Sequence, residues 1–126
     1  VFFLKSVPLF QPIQGEEIAE LAPIISEESF APGELFIRQG ELADCLFVIV
    51  EGQGEIRRDG HVFVAESTEV IGERAVLTDT PRNADCRALT DVVALRIDKE
   101  DFWQLMREKP SLTIEVMKVV VDRDVN

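Results

Sequence analysis

The run Val70-Ile71-Gly72-Glu73-Arg74-Ala75-Val76-Leu77-Thr78-Asp79-Thr80-Pro81-Arg82-Asn83-Ala84-Asp85-Cys86-Arg87-Ala88 decides how the rest of the chain is read. Gly72 permits a sharp backbone turn where a side chain would clash, and Glu73 then opens a helix-capable segment, Arg74 to Leu77. The first amide hydrogens of such a segment have no intrahelical acceptor, so they favour an anion. A turn over Thr78 to Pro81 follows and delivers Arg82 at the start of the next extended segment. Its guanidinium fork matches phosphate oxygens better than an ammonium would. The Glu73 carboxylate can only accept and the arginine can only donate, a combination that suits a ligand carrying a hydroxyl or diol beside a phosphate. Singly, an arginine is a solvated surface residue and a Gly-Glu pair carries no signal; the weight lies in their joint spacing between strand-like flanks.

Outward from this run, the chain reads as short strands punctuated by turns. Before it come Glu28 to Ala31, a Pro32-Gly33 turn, Leu35 to Arg38, a Gln39-Gly40 turn, the apolar run Leu46 to Val50, Glu55 to Arg58, an Asp59-Gly60 hairpin signal and His61 to Ala65. After it come Asp85 to Leu89 and Val92 to Ile97. Many short strands at regular spacing suggest a sandwich or jelly roll. Helical patterns lie at both ends. Ile18, Leu21, Ala22 and Ile25 repeat at helical spacing over Gly15 to Ile25, and the apolar residues from Phe3 to Phe10, interrupted by Pro8, read as a short docking turn. Asp98 is a good N-cap for a helix carrying Phe102, Leu105 and Met106 on one face with Trp103 beside it. Pro110 ends that helix and can seed the next, whose stripe Leu112, Val116, Val119 and Val120 needs cover from the barrel or from a partner chain.

A chain of 126 residues with 46% hydrophobic content is the size of one domain with one core. The expected organisation is an N-terminal helical segment over 1–27, a jelly roll over 28–97 that includes the run 71–88, and C-terminal helices over 98–126. A formal net charge of −11 argues against this segment contacting nucleic acid. Ile13 to Glu55 holds ten acidic residues and one basic residue, Arg38, and reads as solvated surface, whereas Ile71 to Ala88 holds three of each sign and admits an anion locally. Two cysteines, Cys45 and Cys86, are too few for a disulfide framework or a four-thiolate metal cluster, so reduced thiols and a cytoplasmic setting are expected. His61 is the only histidine, which excludes a multi-histidine metal site. No nucleophile with a base, pair of acids or metal cluster stands out, so an enzyme is not expected. No segment has the apolar length of a membrane span, and the opening residues lack the layout of a signal peptide. The chain does not begin with Met and is expected to be a piece of a longer protein, whose parent can carry further domains or be membrane-attached.

Gly72-Glu73, a short apolar helix and then Pro81-Arg82-Asn83-Ala84 together resemble the phosphate-binding cassette of the cyclic nucleotide-binding domain family. That family includes the catabolite activator protein, the regulatory subunits of protein kinase A and the cyclic-nucleotide-gated channels. Ala31-Pro32-Gly33-Glu34, Arg38-Gln39-Gly40-Glu41 and Leu46-Phe47-Val48-Ile49-Val50-Glu51-Gly52 are similar to the family's earlier strands and turns, so the resemblance covers residues 4 to 120. It implies a mainly β fold, a double-stranded β-helix (jelly roll) barrel with an N-terminal helix, a short cassette helix and C-terminal helices. It implies a cyclic nucleotide as ligand, cAMP ahead of cGMP, and no metal.

By the same resemblance Glu73 would bind the ribose 2′-hydroxyl and Arg82 the cyclic phosphate, with help from amides around Gly72, Arg74 and Ala84. The expected ligand-contacting set is Gly72, Glu73, Arg74, Ala75, Arg82, Asn83 and Ala84. Glu73 has an alternative role, as a helix-start carboxylate satisfying backbone amides. Asn83 departs from the Ala, Ser or Thr usual after the arginine; its amide can touch a phosphate oxygen or a base edge, or sit against the sheet. Asp85, a second departure, would repel a phosphate and is expected to face the other side of its strand; Arg87 is expected to be exposed. Functionally the resemblance implies a regulatory sensor in which Leu77 pushes on Phe102 or Trp103 and so signals to an effector domain of the same parent chain. The competing expectation is a fold that has lost its ligand and serves as a docking module or homodimerises through its C-terminal helix.

Overall fold

The apolar run beginning at Cys45 forms the middle strand of the protein, β3 (Cys45–Glu51), which is buried on both faces. Cys45, Phe47 and Ile49 enter one core, while Leu46 and Val48 enter another, as the alternation of side chains along a strand requires. The structure is a computed structural model in which residues 22–111, 113, 114, 117 and 118 are described. Within them the other strands are β1 (Ile25–Phe30), β2 (Leu35–Ile37), β4 (Gly54–Arg58), β5 (His61–Ala65), β6 (Val70–Ile71), β7 (Asp85–Ala88) and β8 (Val92–Asp98). They form two four-stranded sheets, ordered β1-β8-β3-β6 and β2-β7-β4-β5.

The pairing is nested. β4 pairs with β5, β3 with β6, β2 with β7 and β1 with β8, all antiparallel. This is the strand order of a jelly roll, so the mainly β expectation holds. The fold-back point is Asp59-Gly60, both at positive φ (51° and 79°), the conformation that a two-residue hairpin of this composition favours. Between the sheets, Phe30 and Phe36 stack with ring centroids 4.3 Å apart, and Phe47 meets them edge-on at 5.7 and 5.6 Å.

Two helices cover the other face of β3. Helix α1 (Glu73–Thr78) links β6 to β7 and helix α2 (Lys99–Glu108) follows β8. Ala75 and Val76 of α1 and Phe102 and Leu105 of α2 pack with Leu46, Val48 and Ile97. Further helical residues follow from Pro110, among them Ile114 and Met117, which are exposed.

Three expectations need correction or placing. The helix expected to run to Ile25, within a segment ending at 27, does not reach that far: Ala22–Ile24 is a 3-10 turn and Ile25 opens β1, paired with Ile97. Pro23 has no amide hydrogen to give a helical ladder, and the residues after it gain sheet partners instead. Asp98 does occupy the N-cap of α2, but its side chain makes no cap bond. Arg96 Nε donates to its Oδ1 at 2.9 Å and takes the carboxylate away from the helix. The docking turn around Pro8, the helix before Ala22 and the stripe Leu112, Val116, Val119 and Val120 lie outside the described residues.

Candidate functional site

Strand β6 ends at Ile71 in the inter-sheet core, and Gly72 turns the chain with φ 86°. Glycine is favoured there chiefly by its backbone. The conformation disfavours any side chain, and a Cβ would collide with Nη1 of Arg82. Glu73 starts α1 with only 2% of its surface exposed, while Ala75 and Val76 anchor the helix below. The helix closes at Asp79, which has a positive φ of 54° and donates its backbone N–H to the Ala75 carbonyl.

Arg82 is clamped from both sides of its backbone. Its N–H donates to the Glu41 carbonyl and its carbonyl accepts from the Gly40 N–H, each at 2.8 Å. With the main chain fixed, the side chain turns inward to 7% exposure. Nη2 donates to the Cys45 carbonyl at 2.6 Å and lies 3.6 Å from the Cys45 sulfur, and Nη1 donates to the Gly72 carbonyl at 3.3 Å. The arginine thus ties the cassette loop to β3.

A cavity of about 310 Å³ opens in front of these groups. Gly72, Glu73, Arg74, Ala75, Arg82, Asn83 and Ala84 all line it, so the structure brings the seven expected residues to one cavity. Asp85, expected to face the other side of its strand, lines the cavity as well, and its Oδ1 accepts the Gln39 N–H at 2.7 Å. Arg87 is exposed and donates to the Gly33 carbonyl at 2.5 Å. Cys86, on the cavity floor, is buried, and burial first, then the charge of Glu55, pushes its thiol up to about 12. Burial likewise raises Cys45 to about 11 against the opposing pull of Arg96. Both sulfurs are neutral at physiological pH.

Sequence reasoning missed the opposite wall. Ile56 and Arg58 of β4, Phe63 and Val64 of β5, Ile37 of β2, Ile71 of β6 and Glu69 complete the lining. The signal was present, since the Asp59-Gly60 turn sets Ile56 across from Phe63 and alternation puts Arg58 on the same face as Ile56. On the far side of α1, Trp103 Nε1 donates to the Val76 carbonyl at 2.9 Å, and Leu77, Trp103 and Met106 pack on the helix-side core. The Lys99 ammonium pairs with the Asp79 carboxylate and lies 5.9 Å from the Trp103 ring centroid. A cassette helix and the helix after the sheets are therefore joined by polar and apolar contacts.

The sequence profile of the cyclic nucleotide-binding domain matches residues 27–109. The chain is 28% identical over 120 residues to a cyclic nucleotide-gated potassium channel of Rhizobium etli, spanning 95% of this chain and 34% of the channel. It is 30% identical over 107 residues to the cAMP-dependent protein kinase regulatory subunit of Emericella nidulans, spanning 82% of this chain and 26% of that protein. Among solved structures, the N-terminal domain of a transcriptional regulator from Streptomyces coelicolor is similar with a TM-score of 0.77 and 30% identity, over 96% of this chain and 91% of that one. The chain spans about a third or less of the length of the curated relatives it matches.

Proposed function

The chain belongs to the cyclic nucleotide-binding domain family, and from that premise we propose that it binds a cyclic nucleotide, cAMP or cGMP, in the cavity between α1 and the β4–β5 hairpin. One observation carries the reading: an acid and a base, Glu73 and Arg82, are both almost fully buried on the wall of a single cavity of ligand size. Buried ionisable groups are costly unless they are paired or have work to do. Arg82 takes the cyclic phosphate, exchanging the Gly72 and Cys45 carbonyls for phosphate oxygens in charge-assisted bonds worth about 1.5–3 kcal/mol each. Glu73 accepts the ribose hydroxyl, and amides from Gly72 to Ala75 and at Asn83 and Ala84 surround the phosphate.

The domain is regulatory and its output lies in an effector domain of the parent chain. Any shift of α1 on ligand binding is felt by α2 through the Val76–Trp103 hydrogen bond and the packing of Leu77. That is a two-state element biased by differential contacts. Titration calorimetry with cAMP and cGMP, run well below the melt of each protein, tests the assignment: the wild-type chain binds, and Arg82→Ala, which also melts lower because the Gly72 and Cys45 carbonyls lose their donor, loses at least about 100-fold in affinity. Undiminished binding in that variant rejects the assignment.

A second reading has its own observation. The Arg82 guanidinium is already engaged by two carbonyls, the nearer at 2.6 Å, as expected of a scaffold that uses the arginine only as a structural tie. A ligand at a hundred times its dissociation constant stabilises a protein by about 2.7 kcal/mol, so an unmoved melting temperature with either nucleotide favours this docking-module reading.

A further inference from the structure

The cavity carries a cation that the phosphate and ribose contacts leave unused. Ile37 pairs with Cys86, Cys86 with Ile56 and Ile56 with Phe63, making an apolar row across the sheet. Arg58 stands two residues further along β4, on the same face as Ile56, and it too lines the cavity. Arg57 pairs with Asp85, so Arg58 runs alongside Ala84 of the cassette. It is half-buried. Among the described residues its guanidinium meets no hydrogen-bond or ion-pair partner, in contrast to Arg82, Arg87 and Arg96. The nearby carboxylates are turned to other tasks: Asp85 accepts from the Gln39 N–H, and Glu69 Oε1 accepts from the Glu66 N–H at 3.2 Å.

A guanidinium only donates. Guanine presents two acceptors, O6 and N7, on one edge, whereas adenine presents N7 beside an amino group that is itself a donor. We infer that Arg58 reads the base of the bound nucleotide and makes cGMP the preferred ligand of this cavity over cAMP. This rests on the cyclic nucleotide reading above, and it reverses the order that the family resemblance implies. The apolar row supplies the surface on which the purine lies, and its exposed Phe63 ring lends it an aromatic face. The geometry also sets a rival role, since Arg58 runs beside Ala84 and could instead give the phosphate a second cation.

Titration calorimetry with cAMP and cGMP on the wild-type chain, Arg58→Ala and Arg58→Gln separates these roles. A bidentate arginine–guanine contact discriminates by about tenfold, so the wild type binds cGMP about tenfold more tightly than cAMP. Arg58→Ala brings the two within about twofold of each other, chiefly by weakening cGMP. Arg58→Gln, whose amide matches adenine N6 and N7, moves the preference toward cAMP. Melting without nucleotide is unchanged in both variants, because the side chain holds no partner. A wild-type preference for cAMP, an unchanged ratio in Arg58→Ala, or equal weakening of both nucleotides overturns the inference while leaving the cavity assignment standing. Absence of binding by either nucleotide to the wild type overturns both.

Discussion

The two cores of this protein share one strand and behave differently. The inter-sheet core takes Cys45, Phe47 and Ile49 from β3 and closes them against strands of both sheets, so every element around it is held by a backbone ladder. The helix-side core takes Leu46 and Val48 from the opposite face and closes them with Ala75, Val76, Phe102 and Leu105, which come from helices. Helices held by side-chain packing can shift as bodies without breaking a ladder; strands inside a sheet cannot. The cavity sits on the border, where Ile71 belongs to the first core and Val70 to the second, immediately before Gly72 and Glu73. The fold is therefore laddered on one side of β3 and closed by side-chain packing on the other.

The largest test of that division is Phe47→Ala. Truncating a ring that touches both Phe30 and Phe36 costs about 3–5 kcal/mol in urea unfolding, with nucleotide affinity of the remaining folded fraction unchanged. A variant that kept its stability and lost affinity would reverse the roles of the two cores. Alkaline pH probes the same side without mutation, because both thiols lie in the inter-sheet core. They ionise near 9 when unfolded and at about 11 and about 12 when folded, so stability is intact below pH 9 and is lost as pH rises from 9 to 12. At pH 10 the loss is about 1.4 kcal/mol per thiol, and Cys86→Ala flattens that part of the curve; a parallel decline in the variant would place the sensitive group elsewhere. Smallest is Trp103→Phe, which keeps an aromatic side chain, smaller than the indole, and removes the bond to the Val76 carbonyl, about 1 kcal/mol. Hydrogen exchange quickens at the α1 amides and stays constant in the sheets, and uniform quickening would erase the contrast.

Strands and the cassette were legible for local reasons. Alternating apolar residues and the Asp59-Gly60 turn carry their meaning within a few residues and are found where the pattern puts them, and Gly72 and Arg82 line one cavity, although Arg82 precedes β7, which opens at Asp85, instead of starting it. Features decided by distant partners were not. Arg82 turns toward the Cys45 carbonyl far back in the sequence, Asp98 gives its carboxylate to Arg96 rather than to a helix terminus, and Ile25 joins a strand because Ile97 is there to pair with it. The Arg58 wall is intermediate. Its face follows from alternation, but its place beside the cassette depends on β4 lying next to β7, which only the sheet order reveals.

The nesting of the strand pairs also grades the entropy of closing the chain. The β4–β5 hairpin closes across two residues, whereas β1 and β8 must meet from nearly opposite ends of the described residues, and loop-closure entropy grows with the length enclosed. Each inner pair shortens the effective loop of the next, so assembly that proceeds from the hairpin outward meets the lowest barrier, with β1 the last strand to be fixed.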